Sequence, residues 1–179
     1  MVAASSEFAF RAQLVVPEQR QLYDYWLGRT DGRTMPARAD ISPVDFPQLL
    51  PLISLIDVEH ETHRFRVRLA GTRLREVFDR EITGAYLEDL DWGDMTEYWL
   101  SAYNRVVQAC KPAQGMVRGP RKAKDHLVQF WLRLPLSNDG ERVTMILCYD
   151  AFVPSAEAAD MPLIKGRQTY ASMAGGLEA

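Results

Sequence analysis

The sequence predicts an α+β domain with one antiparallel sheet covered by short helices, and three observations predict it. Apolar residues alternate with period two across Leu52–Leu69, and the alternation returns across His126–Phe152 on both sides of Asn138-Asp139-Gly140, a strong turn signal. Between these two ribbons the apolar spacing is helical. Strands at both ends of a helical middle close most simply into one sheet with helices over its apolar side.

Composition narrows the class. With 179 residues, 47% hydrophobic and 25% charged, the chain is long enough to bury one ordinary core. A formal net charge of −3 offers no basic surplus for phosphate neutralisation, so nucleic acid is not an expected partner. The longest apolar stretch, Leu49–Asp57, holds Pro51 and Ser54 and falls well short of a membrane span, so no membrane insertion is expected. Glu7 and Arg11 interrupt what a secretory signal would keep apolar. The two cysteines, Cys110 and Cys148, give no disulfide framework and are expected as free thiols in a cytoplasmic protein.

Taken in order, residues 1–16 lack a period and are expected as a flexible arm. A helix begins at Pro17, a residue suited to a first helical position, carries Leu22, Tyr23, Trp26 and Leu27, and stops before Asp31-Gly32. Ser42-Pro43 starts a helical turn. A tight turn at Glu61-Thr62 pairs Glu59 with Arg64 and Asp57 with Arg66 on one face, and Val58 with Phe65 and Ile56 with Val67 on the other. A short helix follows through Leu74, Val77 and Phe78, with further short structure at Tyr86–Leu90. Asp94, with Glu97 three residues on, reads as a capping box opening a longer helix that Pro112 ends. Gln114–Arg118 reads as an edge strand. A tip at Asp139-Gly140 pairs Leu136 with Val143, Leu134 with Met145, Leu132 with Leu147 and Phe130 with Tyr149. Residues 154–179 lose periodicity and form a tail.

That order resembles the PAS fold, whose single five-stranded antiparallel sheet has two strands before a helical middle and three after. Leu22-Tyr-Asp-Tyr-Trp, Leu50-Pro-Leu-Ile-Ser-Leu-Ile-Asp-Val and Phe65-Arg-Val-Arg-Leu-Ala-Gly-Thr-Arg-Leu-Arg-Glu-Val-Phe are similar to a PAS-like family of small alphaproteobacterial proteins. The resemblance implies a domain over residues 17–153, including the N-terminal flanking helix, with a sensory or protein-interaction role. It also implies a homodimer, and a ligand in some members between sheet and helices. A flavin-type photosensor needs a cysteine in an Asn-Cys-Arg-Phe-Leu-Gln-like segment, and Thr72–Tyr86 has none; a haem sensor needs a histidine on the longer helix, and residues 94–111 have none. Neither cofactor is expected, which leaves a small apolar ligand as the candidate.

The candidate cleft is Phe78, Tyr86, Trp99, Tyr103, Met116, Phe130, Leu132, Met145 and Leu147, on the face that Val58 and Phe65 are expected to share. The candidate interface is Tyr23, Trp26 and Leu27 of the N-terminal helix with Trp131 and Ile146 of the outer sheet face, where Cys148 also lies. No metal site is expected: His60 and His63 fall on a turn, and Glu88, Asp89, Asp91 and Asp94 lack the spacing of a calcium loop. His126 lacks a catalytic partner. Arg118–Lys124 reads as a solvated basic loop, and Arg64, Arg66 and Arg68 as a stripe that pairs locally or meets a partner. With no kinase, cyclase or DNA-binding segment evident, output is expected to pass through a separate signalling protein. The readings carried forward are a stand-alone sensory or regulatory domain tuned by a ligand and, as alternatives, a ligand-free adaptor or a small enzyme using the same cleft. The first of these is not an enzyme, because the expected inner faces offer no Asp, Glu or His for proton transfer.

Overall fold

The computed structural model describes residues 2–119 and 124–161. Five strands, β1 (Ile53–Glu59), β2 (Arg64–Ala70), β3 (Ala113–Arg118), β4 (Leu127–Leu136) and β5 (Met145–Pro154), form one antiparallel sheet in the order β2-β1-β5-β4-β3. The helices are α1 (Val2–Ala12), α2 (Pro17–Gly28), α3 (Thr72–Phe78), α4 (Thr96–Ala109) and α5 (Ser155–Asp160). None among the described residues is long and apolar enough to cross a membrane.

The first hairpin has the register that charge and burial together require. Glu59 stands opposite Arg64, Val58 opposite Phe65, Asp57 opposite Arg66 and Ile56 opposite Val67, before a bulge between Leu55 and Ile56. Gly71 closes the hairpin onto the preceding 3-10 turn; a Cβ there would run into the Leu50 and Pro51 carbonyls. The arginine stripe pairs locally: Arg64 with Asp89 at 2.8 Å, Arg66 and Arg68 with Asp57 at 3.4 and 3.5 Å.

The second hairpin forms around the expected tip in a different register. Leu136 pairs with Met145, Leu134 with Leu147, Leu132 with Tyr149 and Phe130 with Ala151, two residues displaced from the expected pairs. The cause is the loop. Asp139 Oδ1 accepts from the Glu141 and Arg142 N–H groups, and the Ser137 hydroxyl accepts from Gly140 N–H, so a wider polar loop replaces a two-residue turn. Those hydrogen bonds hold the Asp139 carboxyl well below the usual carboxylate range.

Three local expectations change. Asp94 does not cap a helix: a 3-10 turn over Gly93–Met95 leads into α4, and Thr96 Oγ1 donates back to Gly93 O at 3.2 Å. Residues 2–12, expected as part of an arm, form α1, tied to α2 by Phe10 against Tyr23 (5.0 Å between ring centroids) and by Arg11 to Asp24 at 2.7 Å. Of the expected tail, residues 155–160 form α5, and residues 162–179 lie outside the described residues.

The largest correction concerns the two faces of the sheet. Residues directly opposite across strands share a face. Ile56 lies opposite Val67 and Ile146, Ser54 opposite Cys148, Trp131 opposite Asp150 and Gly115, and Arg133 opposite Cys148 and Ala113. That is the face under α3 and α4. Phe130, Leu132, Met145 and Leu147, expected in the cleft, lie on the other face with Leu55 and Met116. There α2 covers them. Leu22, Tyr23 and Trp26 are buried, Leu27 is half-buried, and Trp26 Nε1 donates to Pro135 O at 2.9 Å. Tyr23 and Trp26, named as interface, are therefore core, as are Trp131 and Ile146 on the opposite side. Val58 and Phe65 do not share a face with Leu132 and Leu147, because β1 meets β5 with Leu55 opposite Leu147.

Candidate functional site

The space between the sheet and α3–α4 is built around charge. Gln129, Trp131 and Arg133 alternate along β4, so all three point under the helices, and Asp150 on β5 stands opposite Trp131 between the other two. From there Asp150 Oδ1 accepts from Gln129 Nε2 at 2.7 Å and from Arg133 Nη2 at 2.9 Å, while Oδ2 accepts from Arg133 Nη1 at 3.1 Å. The pair is bidentate and dry, with Arg133 2% and Asp150 3% exposed. Arg133 Nη1 also donates to Leu132 O at 3.1 Å and Tyr149 O at 3.4 Å. Three rings surround the guanidinium, with centroids 5.0 Å (Tyr103), 5.4 Å (Trp99) and 5.5 Å (Trp131) away. Burial alone would lower the Arg133 pKa, but the adjacent Asp150 outweighs it and raises the pKa.

Two buried donors, Arg133 Nε and Trp99 Nε1, meet no acceptor among the described residues. The lid above Arg133 is apolar: Leu74 and Phe78 of α3, then Ile82, Leu87, Leu90 and Trp92, close over Ile56 and Val67 and leave a cavity of about 20 Å³. Ser54, Tyr103, Gln129, Arg133 and Asp150 supply its polar wall. Aromatic contacts run from this lid toward the surface, from Phe78 to Trp92 (5.0 Å), Trp99 (5.3 Å) and Trp131 (5.9 Å), whose Nε1 donates to Tyr98 Oη at 3.0 Å.

Of the expected cleft residues, the structure gathers Phe78, Trp99 and Tyr103. Tyr86 sits instead beside β2, its hydroxyl 3.2 Å from Glu59 Oε1 and its ring 3.6 Å below the Arg64 guanidinium. Met116 lies at the β3 edge. Sequence reasoning missed Arg133, Asp150 and Gln129. A signal was present: each charge interrupts an apolar strand, Phe130-Trp-Leu-Arg-Leu and Leu147-Cys-Tyr-Asp-Ala. In the expected register, however, Asp150 faces Gln129 and stands four residues from Arg133; the two-residue displacement brings the charges together.

Cys148 lies under the lid, its Sγ 3.8 Å from Tyr103 Oη, and burial pushes its thiol up to about 11. Burial likewise raises Tyr103. A thiol raised to about 11 stays protonated at pH 8. A thiol-alkylating reagent at that pH is accordingly expected to label half-buried Cys110 in the native protein and to reach Cys148 only after unfolding in urea. Peptide mapping reads the result directly, and native-state labelling of Cys148 would contradict the closed interior. The histidines form no metal site: His60 Nε2 is 2.8 Å from Val143 O, and among the described residues no cluster could hold a metal. Part of the basic loop, residues 120–123, lies outside the described residues.

One five-stranded antiparallel sheet, with two strands before a helical middle and three after it, is the arrangement the resemblance predicted, and the family model of the PAS domain matches residues 14–149. The chain belongs to the PAS domain family. Among solved structures this PAS domain is similar to a LOV protein of Rhodobacter sphaeroides (12% identity, 67% of this chain and 73% of that one, TM-score 0.47). It is similar to an RNA-binding light-oxygen-voltage receptor (16% identity, 78% and 41%, TM-score 0.49). A sensory box histidine kinase/response regulator of Burkholderia thailandensis also resembles it (11% identity, 73% and 99%, TM-score 0.43). No curated protein matches the chain. These neighbours correct the cofactor expectation. Light-oxygen-voltage proteins stand among the structures this chain resembles, and the expectation that excludes flavin is withdrawn. The small apolar ligand is not carried forward either: the lid side of the cavity is apolar, but its sheet side holds Gln129, Arg133 and Asp150, and only about 20 Å³ stays open.

Proposed function

We propose that this PAS domain is a sensory or regulatory module whose interior cluster registers a small molecule rich in hydrogen-bond acceptors, and that it passes the result on by contact with another protein. The observation that carries this reading is the Arg133–Asp150–Gln129 cluster with two unpartnered donors, Arg133 Nε and Trp99 Nε1, under an apolar lid. A buried ion pair contributes little to stability compared with an apolar filling, so its presence where sheet and helices meet points to use rather than to packing. The donors suit acceptor atoms, and the lid from Leu74 to Trp92 is the part that must lift to admit them. Two free thiols support a reducing, cytoplasmic setting.

A catalytic role is disfavoured for a specific reason. Both Asp150 oxygens are engaged by Arg133 and Gln129, so the carboxylate that lines this cavity is not free to take a proton. A ligand-free adaptor is the second reading, favoured by the cavity of about 20 Å³, which admits about one water molecule. Native mass spectrometry of freshly purified protein, followed by denaturing release, separates the two. Release of a polar small molecule, lost in Arg133→Met, supports the sensor; a bare chain whose melting temperature no acceptor-rich compound raises sinks the sensor and leaves the adaptor.

A further inference from the structure

The two edges of the sheet are treated differently by the chain. The β2 edge is taken by residues 84–86: Gly84 N–H donates to Val67 O at 2.7 Å, Val67 N–H to Ala85 O at 2.8 Å, and Tyr86 bridges Arg66. At β3 no backbone partner beyond β4 is present among the described residues. Gly119 N–H donates to Leu127 O at 2.9 Å, and by alternation Val117, Gly115 and Ala113 also bond inward to β4. The N–H and C=O groups of Gln114, Met116 and Arg118 therefore point away from the sheet. Unprotected edges of this kind pair with another strand.

The helix beside this edge carries a matching pattern. A groove of about 510 Å³ runs between α4 and β3, with Asp94 and Glu97 at one end, Ser101 in the middle and Arg105 at the other end. Its floor is Trp131 lying over Gly115, where a Cβ would meet the indole at 2.5 Å. Glu97 and Arg105 are exposed and in no ion pair among the described residues. Eight residues apart, they lie about 12 Å from each other along the helix.

We propose that the β3 edge and the exposed side of α4 form a two-fold interface with a second copy of this chain, joining two sheets into one. The pattern is self-complementary. An antiparallel β3–β3 pairing centred on Met116 sets Gln114 against the copy's Arg118, satisfies each outward N–H and C=O of the three residues, and buries Met116, now 38% exposed, against itself. The same axis runs the two α4 helices antiparallel and brings each acidic end, Asp94 and Glu97, to the other copy's Arg105. Six paired strand residues alone bury too little for a stable dimer, so the helix faces have to contribute. The proposal rests on the interaction-domain reading but not on the interior ligand: a chain that releases no small molecule and still dimerises sinks the sensor alone.

The test is sedimentation velocity of the full chain over a dilution series. Wild type is expected to dimerise reversibly. Met116→Pro removes a central outward N–H without touching the β4 ladder and is expected to yield monomer. Glu97→Arg and Arg105→Glu are each expected to weaken the dimer by about tenfold, and the double exchange to restore it. The charge variants decide the matter if Met116→Pro fails to fold, because both side chains are solvent-exposed. A monomeric wild type, a dimer indifferent to the single reversals, or a double exchange no better than either single overturns the proposal, as does capture of a basic extended peptide at β3 by an otherwise monomeric chain.

Discussion

Asp150→Ala is expected to destabilise the protein by about 3–5 kcal/mol, because it leaves the Arg133 guanidinium buried without a counter-charge. Arg133 is 2% exposed and cannot reach water by rotating, and Gln129 Nε2 would lose its acceptor in the same step. Against a total stability of about 5–15 kcal/mol, a loss of this size brings the fold close to its limit. The paired substitution Arg133→Met with Asp150→Leu should recover most of the loss, since it removes both charges and fills similar volume with apolar groups. Urea denaturation of the wild type and the two variants measures the difference. If Asp150→Ala and the double variant unfold at the same urea concentration, the buried pair is not what the single substitution disrupts. The double variant serves a second purpose: it keeps the fold while removing the polar cluster, and so isolates sensing from stability.

The second large effect is at Trp26. Its indole is 3% exposed, packs beside Tyr23 (6.1 Å between ring centroids) and donates to Pro135 O on β4 at 2.9 Å. Trp26→Ala is expected to cost about 3–5 kcal/mol, the range for deleting a buried aromatic ring, and to lower the melting temperature by about 10 °C. The same variant is expected to leave the association state of the folded protein unchanged, since the residue faces its own sheet. A dimer that dissociates in Trp26→Ala while its melting temperature holds would place α2 in the interface after all. The experiment thus discriminates a helix folded onto its own sheet from one shared between copies.

The faces of the sheet show where reading the residues in order succeeds and where it stops. Within the first hairpin the register follows from local chemistry, because Glu59, Asp57, Arg64 and Arg66 must share one face and Val58, Ile56, Phe65 and Val67 the other. In the second hairpin every position from Val128 to Leu136 is buried, so alternation carries no polarity and any even displacement satisfies it. Asp139 and Ser137 then decide, through a loop whose hydrogen bonds only the folded backbone reveals. A charged residue in such a strand reads as solvent-facing by default, so nothing local marks Arg133 and Asp150 as the residues that line the cleft.

The sequence by itself determined the element order from α2 to β5, both hairpins, the start of α2 at Pro17 and the PAS family, because each rests on residues near one another in the chain. Only the tertiary structure decided how β1 meets β5, and with it which face holds the helices, which aromatics are core and where the ion pair forms. Ile56 and Ile146 are far apart in sequence, and no turn or charge pattern links them. Their register comes from the sum of packing on both faces, which no local stretch of the chain encodes.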